Sequence, residues 1–158
     1  MATVVVIVIF AAFIFAKAVI IVPGDQVYIR TRLGKLQGAM RPGLHFLVPF
    51  IDSVSARYPS KEQSVAISDT FVSSDEESVA VELDARYRVL DAVKAFQNIT
   101  DVDHAIRALL VATIKKEVER RKGDDFRSER GSIESDLTRS VNEAASQFGV
   151  YVTGCTLR

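Results

Sequence analysis

The stretch SVAVELDARYRVL, residues 78–90, alternates apolar and polar side chains along its length. Successive side chains of a β-strand point to opposite faces of a sheet, so this pattern predicts a strand with one buried face and one polar face. The apolar face carries Val79, Val81, Leu83, Ala85, Tyr87 and Val89. The polar face carries Glu82, Asp84, Arg86 and Arg88. We expect this polar face to meet either solvent or a charged neighbouring subunit.

After this strand the apolar pattern changes to a helical period. The predicted helices span residues 91–98, 102–122 and 129–148. Asp101 and Ser132 are the expected N-caps of the second and third helices, because short polar side chains accept hydrogen bonds from the free N–H groups of a first turn. Gly123 and Gly149 are expected to end these two helices.

Strands are also predicted on both sides of this region. QVYIRTRLGK, residues 26–35, alternates as a half-buried strand, and the glycines and proline of residues 34–43 are expected to turn the chain so that residues 44–50 pair with it. A weaker alternation covers residues 61–72. The closing strand, residues 150–158, is expected to place Val150, Val152 and Thr156 on one face and Tyr151, Thr153 and Cys155 on the other. Strands, then helices, then one closing strand predict an α+β domain.

The chain begins with MATVVVIVIFAAFIFAKAVIIV, residues 1–22, in which Lys17 is the only charged side chain. A helix of this length spans roughly 30 Å at about 1.5 Å per residue, the thickness of a bilayer core. Its Val, Ile and Phe residues favour insertion by roughly 4 to 8 kcal/mol in total, against at most about 3.5 kcal/mol for the lysine. We therefore predict a transmembrane or membrane-inserted anchor over residues 1–22. Its side chains toward lipid include Val4, Ile7, Phe10, Phe13, Ile14, Val19 and Ile21.

A cleaved signal peptide is the alternative, because Ala16 and Ala18 stand in an A-x-A arrangement. The anchor is favoured, since no Lys or Arg precedes the apolar run and residues 19–22 continue it past that site. The positively charged residues that follow are Arg30, Arg32, Lys35 and Arg41. By the positive-inside rule they place the soluble part in the cytoplasm. A shallow hairpin anchor, which puts both ends of the chain on one side of the membrane, is the alternative.

Composition excludes several classes of function. The chain has 20 Lys and Arg against 20 Asp and Glu, so no overall field favours nucleic acid, and membrane attraction is expected to be local and apolar. Cys155 is the only cysteine, and no Cys/His cluster has metal-ligand spacing. SSDEES, residues 73–78, is interpreted as a solvated turn, and KKEVERRKGDD, residues 115–125, as a salt-bridged helix end. No catalytic, cofactor-binding or metal-binding residue is predicted, and the chain is not expected to be an enzyme.

Three stretches carry a resemblance to a known family. They are VPGDQVYIRTRLGK after the predicted anchor, RPGLHFLVPFID at residues 41–52, and VAVELDARYRV followed by NITDVDHAIRALLVATIK. In order and spacing they resemble the SPFH (band 7) group, named for stomatin, prohibitin, flotillin and the HflK/HflC proteins. The likeness covers residues 22–158 and is closest to the stomatin branch.

This resemblance implies a membrane-anchored scaffold whose domains stand side by side in a ring or cage and organise a membrane microdomain or regulate membrane proteins. Its expected partners are membrane lipids, further copies or related SPFH subunits, and a membrane protease or channel. The residues expected to contact the membrane are Pro42, Gly43, Leu44, Phe46, Leu47, Pro49, Phe50 and Ile51. The expected contacts between copies are Glu82, Asp84, Arg86 and Arg88.

The residues after the anchor are enough for one domain or two small lobes, and we expect two SPFH lobes, at residues 23–74 (membrane-proximal) and 75–158. Relatives continue into a long helix, often a coiled coil, whereas this sequence stops at Arg158. It is therefore expected to be either a minimal member or a fragment of a longer chain. A second hypothesis is a regulatory subunit that binds a membrane protease or channel without self-association, and an enzyme ranks third.

Overall fold

A computed structural model describes residues 18–158 and divides the chain into two compact units. The described part of the first unit ends at Ser60, and the second unit spans Lys61–Arg158. The boundary expected at residue 74 is therefore wrong by about one strand. The reason is that the strand at residues 63–72 pairs along its whole length with the one that follows, which places it in the second unit.

The described part of the first unit is built from five short antiparallel strands in two sheets. The strands are β1 Val19–Val22, β2 Gln26–Arg32, β3 Lys35–Met40, β4 Gly43–Phe46 and β5 Asp52–Pro59. β1 pairs with β4 as a two-stranded ribbon, and the second sheet has the order β3-β2-β5. A small core of Val22, Tyr28 and Met40, with Ile20, Leu47 and Val54 packed against it, holds the unit together.

Two sequence-based expectations for this unit are wrong. Residues 44–50 do not pair with β2, because β4 pairs with β1. Val19 and Ile21, expected in the anchor helix, belong to this β1 strand, so the predicted helix cannot extend to residue 22. Val-Ile-Ile-Val is β-branched throughout and suits a strand as well as a membrane helix, and the pairing partner decides between them. Val4, Ile7, Phe10, Phe13 and Ile14 lie outside the described residues.

The second unit has the predicted order of strands, helices and a closing strand, which confirms the α+β class. Its elements are β6 Gln63–Val72, β7 Ser78–Val89, α1 Ala92–Asn98, α2 Val102–Glu119, α3 Gly123–Ser128, α4 Arg130–Ala145, a 3-10 turn Ser146–Phe148 and β8 Val150–Leu157. The three strands form an antiparallel sheet in the order β6-β7-β8. One sheet face packs with α2 and α4 into a large core, and the apolar face predicted for β7 lies in it.

The predicted helix ends agree with the structure in part. Asp101 is the N-cap of α2, and its carboxylate accepts the N–H of His104. Gly149 ends the C-terminal helical segment in the left-handed conformation, with φ 70°. Gly123 does not end a helix but begins α3, and Ser132 lies inside α4, whose N-cap position is Glu129 with no side-chain hydrogen bond.

The closing strand has a different pattern of faces from the one predicted. Val150 and Val152 are buried as expected, but Cys155 and Leu157 are also buried and Thr156 is exposed. The pairing of β7 with β8 shifts by one residue between Arg86 and Tyr87, which face Gly154 and Val152. An extra residue in one strand reverses the alternation of buried and exposed side chains beyond it. The prediction assumed unbroken alternation and was therefore wrong for Cys155 and Thr156.

Candidate functional site

The first unit exposes a set of large apolar side chains, which we call the apolar surface. Its members are Val19 and Ile21 of β1, Leu44 and Phe46 of β4, Val48, Phe50 and Ile51 of the loop before β5, and Leu33 of the β2–β3 turn. Phe50 is 98% exposed, Leu33 77% and Ile21 71%. Scattered exposed apolar residues are ordinary, but eight from neighbouring segments of one small unit point to a binding surface.

The ribbon of β1 and β4 presents four of these side chains on one face. Val19 lies opposite Phe46, and Ile21 lies opposite Leu44. Directly opposed residues of paired strands share a face, so the four form a continuous apolar strip. Ile20 and Val22 point the other way and pack into the small core. The alternation that builds this core therefore forces the apolar strip outward.

The loop at residues 47–51 holds Phe50 outward in an uncommon backbone conformation. Phe50 has φ 68°, in the left-handed region that costs a residue with a side chain about 1 to 2 kcal/mol. Val48 holds the loop closed, because its carbonyl accepts the N–H groups of Ile51 and Asp52 at 3.2 and 2.9 Å. The N–H of Leu33 donates to the carbonyl of Ile51 at 2.9 Å, which ties the β2–β3 turn to the same loop.

Asp52 fastens this loop to β2. Its carboxylate accepts the Val48 N–H at 2.9 Å, an Arg30 N–H at 2.6 Å and the Arg32 Nε–H at 2.7 Å. The side chain of Asp52 has no solvent-accessible area. Hydrogen bonds from Arg32, Val48 and Arg30 hold the pKa of this carboxyl far below its usual range, because they stabilise the charged form. Asp52 is thus ionised at neutral pH and keeps Phe50 in place.

The expected membrane-contact residues do not all point outward. Leu44, Phe46, Phe50 and Ile51 belong to the apolar surface, and Pro42 and Gly43 are exposed beside it. Leu47 is half-buried and packs against the small core, and Pro49 is also half-buried. Val48 and Leu33 were missed by sequence reasoning. Val48 could have been predicted, because it follows the inward-facing Leu47 and neighbouring side chains of an extended segment point to opposite sides. Leu33 could not, because it reaches the apolar surface only through the β2–β3 turn.

The expected contacts between copies lie on the solvent face of β7. Glu82, Arg86 and Arg88 are exposed, and Asp84 is half-exposed and forms a 2.6 Å ion pair with Arg158. On the neighbouring strand β6, the residues opposite are small: Ser68 faces Glu82 and Ala66 faces Asp84. The four charged residues therefore form a ridge, and the side chains beside it on β6 are short.

The acidic stretch at residues 73–78 is the expected turn, with Ser74, Asp75 and Glu76 exposed, but its first residue is buried. Ser73 is buried, and its hydroxyl donates to the Asp75 carboxylate. Asp75 also accepts the N–H of Gly123, and Glu77 pairs with Arg127 at 2.9 Å. These contacts join the β6–β7 turn to the start of α3 and give Asp75 and Glu77 a structural role.

The expected salt-bridged helix end is confirmed. Glu117 pairs with Arg121 at 2.6 Å, and Lys115 approaches Glu119. Across residues 18–158, no three His, Cys, Asp or Glu side chains are placed to hold a metal ion. In the same range, no helix is both long enough and apolar enough to cross a membrane.

Comparison with known proteins identifies the family. The model of the SPFH domain / Band 7 family matches residues 20–158, which is all but the first part of the chain. The chain belongs to the SPFH domain / Band 7 family. The resemblance seen in the sequence is thereby confirmed, and both units of the structure lie within the matched range from residue 20 onward.

Individual SPFH relatives are distant in sequence. A stomatin homolog of Pyrococcus horikoshii is 27% identical over 154 residues, covering 97% of this chain and 58% of its own. Human stomatin-like protein 2, mitochondrial, is 24% identical over 135 residues, covering 84% of this chain and 37% of its own. An uncharacterized protein of Methanocaldococcus jannaschii is 28% identical over 145 residues, covering 91% of this chain and 72% of its own. The chain therefore spans between about a third and three quarters of the length of these relatives.

Proposed function

We propose that this SPFH protein is a membrane-anchored, non-enzymatic scaffold whose first unit rests on the lipid surface through its apolar surface. The observation that carries the proposal is the outward placement of Phe46 and Phe50 beside the ribbon that follows the predicted anchor. An aromatic side chain moved from water into an apolar layer contributes about 1.5 to 3 kcal/mol. The anchor supplies the tether, and the apolar surface sets how the first unit lies on the bilayer.

Several observations support contact with lipid rather than burial within the unit. Leu44, Phe46 and Phe50 are at least 58% exposed, so the small core formed by residues 18–60 does not cover them. The strained φ of Phe50 is maintained by Asp52 and Val48, which hold the ring outward at a cost to the backbone. Contact with a membrane would remove the area of these apolar side chains from water.

Vesicle flotation of the protein lacking residues 1–17 tests the membrane contact. We expect Phe46→Asp combined with Phe50→Asp to reduce the vesicle-bound fraction at least about tenfold, with an unchanged circular dichroism spectrum. Val72→Asp is the matched control, because Val72 is 56% exposed but lies on the second unit. Equal flotation of the double variant and the unchanged protein would exclude the apolar surface as a lipid contact.

We further propose that copies associate side by side into a ring or cage that organises a membrane microdomain or regulates membrane proteins. The charged ridge of β7 supports this proposal, because a row of two acids and two bases can meet opposite charges on a neighbouring copy. Native mass spectrometry of the full chain in detergent should show oligomers at micromolar concentration. A monomer would contradict the scaffold. Stoichiometric co-purification with a membrane protease or channel, again as a monomer, would favour a regulatory subunit.

A further inference from the structure

The two units carry charge of opposite sign, although the whole chain is neutral. Residues 18–60 contain five Arg and Lys against two Asp, whereas residues 61–158 contain fourteen Arg and Lys against eighteen Asp and Glu. The apolar surface lies entirely on the basic unit. The balanced composition therefore conceals a local surplus of positive charge on the unit proposed to meet the membrane.

Three of the five basic residues stand together at one end of the sheet β3-β2-β5. Lys35 lies directly opposite Arg32 on β3, and Asp52 lies directly opposite Arg32 on β5. Arg30 donates to the same Asp52 carboxylate. We call Arg30, Arg32 and Lys35 the basic cluster. Opposed residues share a face, so Lys35 and Asp52 flank Arg32 on its two sides, and three cations against one carboxylate leave a surplus of two positive charges.

The basic cluster lies at the base of the loop that carries Phe50. Asp52 binds both arginines and also the Val48 N–H, so the loop and the cluster share one carboxylate. Leu33, next to Arg32, donates its N–H to Ile51 of the loop. The two arginine side chains remain 27% and 41% exposed, and Lys35 is exposed. Cations therefore adjoin the apolar side chains that would enter the bilayer.

We propose that the basic cluster binds anionic phospholipid headgroups while Phe50 enters the acyl region beside them. The inference rests on the proposed membrane contact and names the lipid class that the contact selects. Arginine and lysine donate charge-assisted hydrogen bonds to phosphate oxygens, and cations near an anionic bilayer surface gain from its negative potential. A bilayer places its headgroup phosphates directly beside its acyl chains, so it can meet the cations and the apolar side chains together.

The full chain offers a clean optical test, because it contains no tryptophan. Phe50→Trp introduces one fluorophore at the tip of the loop. The variant is reconstituted into phosphatidylcholine vesicles with about a fifth phosphatidylglycerol, a mixture that supplies the anionic surface required. Brominated acyl chains, which quench indole at short range, are placed either on the phosphatidylglycerol or on the phosphatidylcholine. Phe46→Trp is a second reporter on the ribbon, should the first variant fold poorly.

We expect phosphatidylglycerol to quench the indole several-fold more than its share of the lipid. Lys35→Gln in the Phe50→Trp background should reduce this preference about fivefold, the effect of removing one cation from an anionic surface. Lys116→Gln is the matched control, since Lys116 is an exposed lysine on α2 of the second unit and should leave the preference unchanged. About 1 M NaCl, where the Debye length is about 3 Å, should also weaken it.

The outcomes separate this inference from the proposed function. Quenching by both lipids in proportion to their abundance would overturn the headgroup preference and leave the membrane contact standing. Absence of quenching by either lipid, with both reporters, would overturn the membrane contact as well. A blue-shifted, unquenched indole that depends on protein concentration would assign the surface to a second copy of the chain and overturn both proposals.

Discussion

The two units use their apolar side chains in opposite ways. The second unit places Ile106, Leu110, Ile114, Ile133 and Leu137 where water cannot reach them, and its outer strand face is charged. The first unit buries few large side chains and turns Phe46 and Phe50 outward. The difference teaches that an apolar sequence does not by itself mean a core. Side chains enter a core only where two layers face each other, as β6-β7-β8 faces α2 and α4.

The same contrast appears in how each unit is held together. In the second unit most stability should come from side-chain packing, because a continuous core links its sheet to its helices. In the first unit, backbone pairing and the hydrogen bonds around Asp52 carry a larger share, since the cluster of Val22, Tyr28 and Met40 is small. Substitutions confined to one unit therefore test this difference.

The largest effect is expected in the core of the second unit. Leu137 has no exposed area, and Leu137→Ala should reduce the free energy of unfolding by about 3 kcal/mol through lost burial and the cavity it leaves. Phe50→Ala removes a larger side chain but should change the unfolding free energy by less than about 0.5 kcal/mol. Urea unfolding of the detergent-solubilised chain measures both. Equal losses would mean that Phe50 is packed in the folded protein.

The second largest effect is expected from a substitution that strains the backbone at Gly149. Gly149 has φ 70°, and a Cβ added there would lie 2.5 Å from the Asp91 carbonyl oxygen. Gly149→Ala should therefore lower the free energy of unfolding by about 2 kcal/mol or more. Gly131→Ala is the control, because Gly131 lies in α4 with nothing within 4 Å, and it should be neutral or stabilise by up to about 1 kcal/mol. Similar results for both would contradict the tight packing around Gly149.

A local effect is expected where Asp52 holds the loop. Asp52→Asn should speed amide hydrogen exchange at Val48 and Ile51 several-fold and leave the second unit unchanged, because the charge-assisted hydrogen bonds are weakened. Asp84→Asn, which alters an exposed ion pair of the second unit, is the comparison. Acceleration throughout the chain would show that the loop supports the whole fold rather than one segment.

Acid should reproduce this change in the unchanged protein. The pKa of Asp52 is depressed, so its stabilising contribution is complete above the ordinary aspartate pKa of about 3.9 and is lost as the pH falls through the lower folded value. The Val48 amide should therefore stay protected at pH values where ordinary aspartates are already protonated. Loss of this protection above pH about 4 would contradict the ion pairs with Arg30 and Arg32.

The smallest effect on folding is expected on the charged ridge. Glu82→Arg with Asp84→Arg should change the unfolding free energy by only about 0.5 to 1 kcal/mol, since exposed ion pairs contribute little. The same variant should shift the oligomer distribution toward monomer, because four like charges would then lie in one row. Glu62→Arg, at an exposed acid ahead of β6, serves as the control in native mass spectrometry. An unchanged distribution would exclude the ridge as a contact between copies.

Much of the second unit could be predicted because its patterns are long. The twelve residues of β7 alternate without interruption, and α2 keeps its apolar side chains on one face over eighteen residues. The reversal at Gly154 could not be predicted, since a bulge changes pairing without changing composition. Likewise, the hydrogen bond from the Gly123 N–H to Asp75 depends on α3, which begins 48 residues later in the chain.

In the first unit the strands are short, and the strand with which each one pairs decided its structure. β1 and β4 have four residues each, too few for a period to distinguish a strand from the end of a membrane helix. The apolar surface could be predicted in part, because RPGLHFLVPFID is too apolar for an ordinary loop. The division of its side chains between Leu47 inside and Phe46 and Phe50 outside required the pairing of β4 with β1.

The sequence by itself determined the α+β class, the SPFH resemblance, the polar face of β7 and the presence of an exposed apolar segment near residue 46. Those properties depend on local periodicity and composition. The tertiary structure alone decided that residues 19–22 form a strand, that Leu33 joins the apolar surface, that Arg30 and Arg32 bind Asp52, and that Lys35 lies beside Arg32. Each depends on contact between segments distant in the chain, and the energy of such contacts is absent from any local window of residues.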